Sequence, residues 1–305
     1  MGSFLFNNTE HNINNATHSK SISELGYLQK TIYSLIISIC IPGIIGNVIV
    51  TRLLYFQTKR NPFTVYILNL AVADTGTLLF VFISAIQHLT TKVSLTEIIE
   101  GLLCTYCTGQ FLLTIISTDR CLAVFFPIWH RCHQPPNLPT ILCAFSWIIS
   151  ILFCTIHYTM FRVTGLQEFL QFSFHFLILI FTSVCIPVMV VSSLALFIKG
   201  YIKSQTRKKL LTTIFLALLF FLLLSLPMNV FYVIHYFKSY NLLLMTIGIG
   251  CAILNSSINP LLYFLVGRKK RGKDQHRGSY KVALQRVFKD ETGSWKSRKP
   301  TEDQL

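Results

Sequence analysis

The sequence predicts an all-α membrane protein, a seven-transmembrane helix bundle with a short amphipathic C-terminal helix. Three observations carry that expectation. Apolar stretches long enough to cross a bilayer recur seven times along 305 residues. Hydrophobic residues make up 52% of the chain and charged residues only 13%, about half the charged share of a soluble domain. The basic residues, which give a net charge of +15, gather in short segments between the apolar stretches and in the C-terminal tail.

A membrane helix needs about 20 mostly apolar residues. Residues 31–56, 63–88, 95–126, 140–161, 171–199, 207–237 and 241–266 meet that requirement. The third stretch is long because its last turns project beyond the hydrocarbon. Between the sixth and seventh, Lys238-Ser239-Tyr240 forms a very short turn. With the N-terminus outside, only Lys20, Lys30, Lys92, Arg162 and Lys238 of the 27 Lys and Arg lie outside. The others fall inside, among them Arg52, Lys59, Arg60, the run from Lys203 to Lys209 and the tail from Arg268. The positive-inside rule selects that orientation, and an odd number of spans puts the C-terminus in the cytosol. The placement also rejects nucleic-acid binding, the usual reading of a strongly basic chain.

The expected organisation is an extracellular N-terminal segment (1–30), a seven-transmembrane domain (31–266) and a cytoplasmic helix and tail (267–305). No apolar stretch precedes residue 31, so the first span itself serves as the insertion signal. Asn7-Asn8-Thr9 and Asn15-Ala16-Thr17 fit the N-glycosylation pattern. They make Asn7 and Asn15 candidate acceptors on the face that the charges place outside. In the tail, Tyr280, Ala283, Leu284, Val287 and Phe288 recur at helical spacing among Lys281, Arg286 and Lys289. That pattern describes a helix lying on the inner leaflet. Residues 290–305 are polar and expected to be disordered. No Cys follows Cys251, so the tail has no palmitoyl anchor.

Nine Cys suggest no disulfide framework, because most lie in or beside apolar runs, where Cys behaves as a small hydrophobe. His130, Cys132 and His133 invite a metal reading. Three ligands within four residues do not easily converge on one ion, and no fourth is evident, so neither a metal nor any cofactor is expected.

Polar groups inside a bilayer are costly, and each asks for a reason. Asp74 is the one acid deep in a span, and Asn47, Asn69, Asn229, Asn255 and Asn259 are the amides. The plain reading of the amides is mutual hydrogen bonding that ties helices together. A buried carboxylate needs more, namely a cation, a proton or several donors.

Asn47 in Gly46-Asn47-Val48-Ile49-Val50, Asp74 in Leu70-Ala71-Val72-Ala73-Asp74, Trp147, Pro187, Pro227 and Asn259-Pro260-Leu261-Leu262-Tyr263 fall one per span. Ser117-Thr118-Asp119-Arg120-Cys121 closes the third. In that order these residues resemble the landmarks of rhodopsin-like (class A) G protein-coupled receptors, with Cys121 where an aromatic is usual. Arg60-Asn61-Pro62-Phe63-Thr64-Val65-Tyr66-Ile67, Pro127-Ile128-Trp129-His130-Arg131-Cys132-His133 and Leu284-Gln285-Arg286-Val287-Phe288-Lys289-Asp290-Glu291 resemble the inner loops and tail of the Mas-related subfamily. Ser225-Leu226-Pro227 lacks the Trp found two residues before this proline in most rhodopsin-like receptors, and that subfamily lacks it too.

The resemblance implies a plasma-membrane receptor, not an enzyme. It would bind an extracellular ligand, a small peptide or small polar molecule, and activate heterotrimeric G proteins. Asp119 would hold Arg120 at rest, and the freed guanidinium would reach the G protein while Asn259, Pro260 and Tyr263 rearrange. Many relatives lock this Arg with an acid at the inner start of the sixth span. Here that stretch reads Arg207-Lys208-Lys209, which predicts a weakly held resting state. Asp74 with Asn255, Ser256 and Asn259 resembles the family's sodium pocket, and Asn47 joins the same polar network. Gly109 departs from the pattern, standing where a Ser usually helps coordinate.

For the ligand, Tyr106 lies about four turns, roughly 21 Å, outward of Arg120 on a similar face. Leu102 and Leu103 are one turn further out, and Leu102 stands where aminergic receptors carry Asp. His157, His175, Met228, Tyr232 and His235 complete the candidate set. The plain reading of these His is a polar residue at headgroup level. In relatives that recognise strongly cationic ligands, acids stand at the positions of His157 and His175. Leu95 replaces the Cys that bridges the second outer loop in most of the family. Basic residues from Arg268 would touch anionic lipid, worth about 1 kcal/mol each near the surface. Phosphorylation at Ser294, Ser297 or Thr301 would recruit arrestin.

Three other readings are available. A transporter would show repeats, broken helices and more charge along a path. A membrane enzyme would show paired carboxylates or a nucleophile motif within a span. A class A receptor of another subfamily is the remaining alternative, and the inner-loop sequences weigh against it.

Overall fold

The computed structural model describes residues 2–57, 62–90, 96–132, 135, 137–163, 184–185, 187–192, 194–195, 198, 223–224 and 242–267; side chains are described for most of these from Tyr27 to Leu261. The described residues are helical apart from short connections and contain no strand. Six helices emerge: α1 (Gly2–Gln57), α2 (Pro62–Thr90), α3 (Thr96–Phe125), α4 (Pro127–Cys132), α5 (Leu138–Val163) and α6 (Leu242–Gly267). Short helical pieces lie between 184 and 198. The expected turn at 238–240, the tail helix and most of the fifth and sixth spans lie outside the described residues.

Four stretches are long and apolar enough to cross a membrane: Tyr27–Phe56, Phe63–Thr90, Glu100–Ala123 and Leu138–Ile156. A shorter apolar helix covers Ile247–Leu261. These match five of the expected spans closely. The first span, Tyr27–Phe56, agrees with the expected 31–56, and its helix continues ahead of it, since α1 begins at Gly2 and passes residue 30 without a break. Its polar first part contains no proline, and nothing before Pro42 forces the backbone out of helix.

Proline placement explains two other starts. Pro62 opens α2 and Pro127 opens α4, the position where a missing N–H costs nothing. Within the spans, hydroxyls turn back onto their own helix. Thr31 Oγ1 donates to the Tyr27 carbonyl at 2.9 Å, and Thr75 Oγ1 to that of Ala71 at 2.7 Å. This satisfies a polar side chain where water is absent.

The arrangement is apolar outside and partly polar inside. Ile41, Ile45, Val48 on α1 and Phe145, Ile148, Leu152 on α5 are exposed. Asn47, Asp74, Thr77, Asn255 and Asn259 are buried. A soluble core would reverse that order, whereas a bilayer favours it.

α2 sits centrally and packs against α1, α3, α5 and α6. Small residues let the backbones approach. A Cβ on Gly43 would collide with Ser257 Oγ of α6, and one on Gly46 would stand 3.0 Å from Pro260. Thr77 Oγ1 donates to Thr105 Oγ1 of α3 at 3.1 Å. Trp147 Nε1 of α5 donates to Asn69 Oδ1 of α2 at 3.2 Å. One apolar cluster (Val50, Leu54, Phe63, Tyr66, Leu112, Ile116) fills the inner half, and another (Ile36, Cys40, Leu78, Val81, Ile253) the outer half. Asp74 lies between them in sequence on α2, with Leu70 on one side and Leu78 on the other.

Candidate functional site

Two polar centres stand out. The first is mid-bundle. Asn259 Nδ2 of α6 donates to Asp74 Oδ2 of α2 at 2.8 Å, and Ser256 is buried beside the same carboxylate. Asn47 Nδ2 of α1 bridges the Gly43 and Ser256 carbonyls at 3.0 and 2.9 Å. Asn255 is buried beside them, with its Oδ1 unsatisfied. Four expected network residues and Asn259 therefore converge from three helices, and the Pro260 ring packs on Gly46.

Gly109 faces this centre, since a Cβ there would stand 3.9 Å from Asp74 Oδ1. No oxygen comes from that position, and the amide of Asn259 presents a donor to the carboxylate. The Asn259 amide therefore meets part of the carboxylate's need for donors, and Gly109 contributes no oxygen to the centre.

The second centre closes the inner end of α3. Asp119 is buried, at 7% exposure. Its Oδ2 is 3.5 Å from Arg120 Nη2, and its Oδ1 is 3.1 Å from His130 Nε2 of α4. The Arg120 guanidinium carbon lies 4.2 Å from the centre of the Phe63 ring of α2, within cation–π range. Tyr66, also on α2, is fully buried and close enough to interact electrostatically with both Asp119 and Arg120. Its hydroxyl has no hydrogen-bond partner among the described residues.

Sequence reasoning placed Asp119 with Arg120 but missed Phe63, Tyr66 and His130 as their neighbours. In the sequence Phe63 and Tyr66 stand out only as part of a loop resemblance, and His130 invites a metal reading, whereas in the structure its ring turns to Asp119. Asp74 is not alone as a buried acid, because Glu100 at the outer start of α3 is 8% exposed and Asp119 is 7% exposed. Both lie near helix ends, where sequence position alone gives no hint of burial.

The outer candidates are described only in part. Leu102, Leu103 and Tyr106 line the outer half of α3 and are half-buried. His157 lies on α5, and Tyr263 on α6, with side chains outside the described residues. His175, Met228, Tyr232 and His235 also fall outside them, as do the side chains of Asn7 and Asn15. None of the nine cysteines is joined in a disulfide.

Comparison with known proteins decides the family. The family model for the 7 transmembrane receptor (rhodopsin family) matches residues 46–263. Proto-oncogene Mas of Rattus norvegicus is 37% identical over 279 residues, covering 85% of this chain and 84% of the relative. This chain belongs to the rhodopsin family of seven-transmembrane receptors, in its Mas-related branch. Mas-related G-protein coupled receptor member D of Macaca fascicularis is 36% identical, covering 85% of each chain. Member A6 of Mus musculus is 34% identical, covering 84% of this chain and 89% of the relative.

Family membership makes the protein a receptor and not an enzyme. It implies a multi-pass plasma-membrane protein that takes an extracellular ligand and couples to G proteins. Both polar centres of the receptor lie inside the matched region.

Proposed function

We propose that this receptor binds a small peptide or small polar ligand between the outer halves of its helices and activates G proteins through Arg120. The observation that carries this reading is the held state of Arg120. Asp119 offers a carboxylate oxygen on one side and Phe63 an aromatic face on the other. An ion pair and an aromatic face thus hold the guanidinium, while the inner start of the sixth span, Arg207-Lys208-Lys209, offers it no acid.

The Asp74–Asn259 hydrogen bond ties α2 to α6 at mid-bundle. A shift of α6 would disturb it, and with it Pro260 and Tyr263 further along the same helix. Asn47, Asn255 and Ser256 complete the relay. Agonist binding biases the bundle toward the released arrangement by no more than its differential affinity for the two states.

Leu102, Leu103 and Tyr106 form the third-helix wall of the ligand site, faced by His157, His175, Met228, Tyr232 and His235. The N-terminal segment (1–30) is extracellular and glycosylated at Asn7 and Asn15. The bundle occupies 31–266, and the cytoplasmic helix and tail (267–305) rest on anionic lipid and receive arrestin.

The test is calcium and cyclic AMP output in cells expressing wild type and a surface-matched Arg120→Ala variant, first without ligand and then with a panel of peptides and small polar molecules. Output present in wild type and lost in Arg120→Ala supports the mechanism. Output that survives the substitution overturns it.

A further inference from the structure

We propose that Cys104 of α3 and Cys154 of α5 are an oxidisable pair, joined into a disulfide by a hydroperoxide, and that this bond staples the outer ends of the two helices. The inference does not depend on Arg120. It takes from the reading above only which end of the bundle faces outward.

The register of the two helices brings the pair together. α3 and α5 pack against each other, and as consecutive spans they cross the bilayer in opposite directions. In the inner half, Ile115 of α3 packs against the cluster that contains Cys143 of α5. Moving outward from that level lowers the residue number on α3 and raises it on α5. Three turns outward from Ile115, roughly 16 Å, Cys104 stands on the same face of α3. Three turns outward from Cys143, Cys154 stands on the same face of α5. The two thiols are accordingly close enough to interact with each other. Cys154 is buried and Cys104 half-buried.

Depth decides what such a pair can do. The apolar part of α3 begins at Glu100, and that of α5 ends at Ile156. Both cysteines therefore lie about one turn or less inside the boundary that the charge pattern places outside. A cell surface is an oxidising environment, where disulfides form and persist. Cys143 lies toward the other end of α5, on the side where thiols are kept reduced.

Hydrogen peroxide is small and uncharged, and it meets Cys104 first because that thiol is the more exposed of the two. The sulfur attacks the O–O bond, which breaks to give a sulfenic acid and one water. The Cys154 thiol then displaces the hydroxyl from that sulfur, closes the S–S bond and releases a second water. Each sulfur loses one electron, and the two peroxide oxygens together gain two. Both thiol protons leave in the waters. Cys104 directly follows Leu103 and precedes Tyr106 by two residues, so the staple holds this stretch of α3 against α5. The plain alternative is that both cysteines only fill apolar space, in which case peroxide leaves them unlinked.

The test treats purified full-length receptor in lipid nanodiscs with hydrogen peroxide. Remaining thiols are alkylated before denaturation, and the digested chain is searched by mass spectrometry for linked peptides. A peptide joining Cys104 to Cys154 should appear with peroxide and vanish on reduction with a phosphine. The same treatment should raise the unfolding temperature by roughly 5 °C, the scale that a native cross-link sets. Cys104→Ser and Cys154→Ser should each lose the linked peptide and the shift, whereas Cys107→Ser and Cys185→Ser should keep both. Wild type alone decides the matter if a variant folds poorly. Failure of the Cys104–Cys154 peptide to form, stepwise oxidation of single cysteines in its place, or a link between Cys107 and Cys185 overturns the pairing. A Cys104–Cys154 link that leaves the unfolding temperature unchanged overturns the staple.

Discussion

The guanidinium of Arg120 stacks over the ring of Phe63, 4.2 Å from its centre, at the inner end of the bundle. Phe63 is the second residue of α2 and is buried to 3% exposure. An aromatic face thus replaces part of the restraint that an acid from the sixth span supplies in other receptors. Phe63→Leu keeps the apolar volume and removes the ring quadrupole, at a cost of about 1 kcal/mol to the resting state. Ligand-independent signalling should rise by roughly fivefold, and Phe63→Trp should lower it, because Trp binds cations best. Second-messenger output at matched surface expression measures both.

Gly43 predicts a second, structural outcome. A side chain there meets Ser257 Oγ and, at 2.8 Å, Leu78 Cδ1. Gly43→Ala should reduce thermal stability and surface yield. Ser257 Oγ is buried without a hydrogen-bond partner among the described residues, so Ser257→Ala alone should be near neutral. Combined with Gly43→Ala it should restore part of the loss, since the clashing oxygen is gone. Thermal unfolding of the two single variants and the double variant, by a fluorescent thiol or scattering assay, checks the coupling.

Gly109 points the opposite way. Its Cβ direction opens toward Asp74 Oδ1 with 3.9 Å to spare. Gly109→Ser replaces a poor helix former and offers the carboxylate another hydroxyl donor. Each effect is worth about 0.5–1 kcal/mol, so the melting temperature should rise by a few degrees. A fall would mean that the mid-bundle network is organised differently around Asp74.

Asn47 is the joint between α1 and α6, through the Ser256 carbonyl at 2.9 Å. Asn47→Ala leaves that carbonyl without its amide donor in a water-poor site. A loss of about 1–3 kcal/mol is expected, visible as lower thermal stability, whereas Asn47→Asp, which lacks the amide donor, should fare no better.

The mid-bundle centre was legible from the sequence because cost made it so. Asn47, Asp74, Asn255 and Asn259 are polar in apolar surroundings, and a bilayer leaves such residues few partners other than each other. The span pattern was legible for the same reason, since length and apolarity are what a bilayer requires. Phe63 and Tyr66 carry no such mark, for an aromatic in an apolar run reads equally as core or lipid-facing. His130 was visible as a ligand-bearing loop residue, but its true neighbour depends on how α4 folds back over α3. Asp119 was legible as the partner of Arg120, but its burial and that of Glu100 were not, because both stand near helix ends. The helical continuation of α1 ahead of its membrane span carries no mark in the sequence, which changes polarity there without any residue that stops a helix.

The central claim is that Arg120, released from Asp119, drives nucleotide exchange on a G protein. The most direct measurement is GTP analogue uptake by purified heterotrimeric G proteins, with wild-type receptor and Arg120→Ala compared in lipid nanodiscs at equal folded concentration. Wild type should accelerate uptake on at least one class of G protein, and Arg120→Ala should reduce it to the receptor-free rate. Equal acceleration by both would contradict the account.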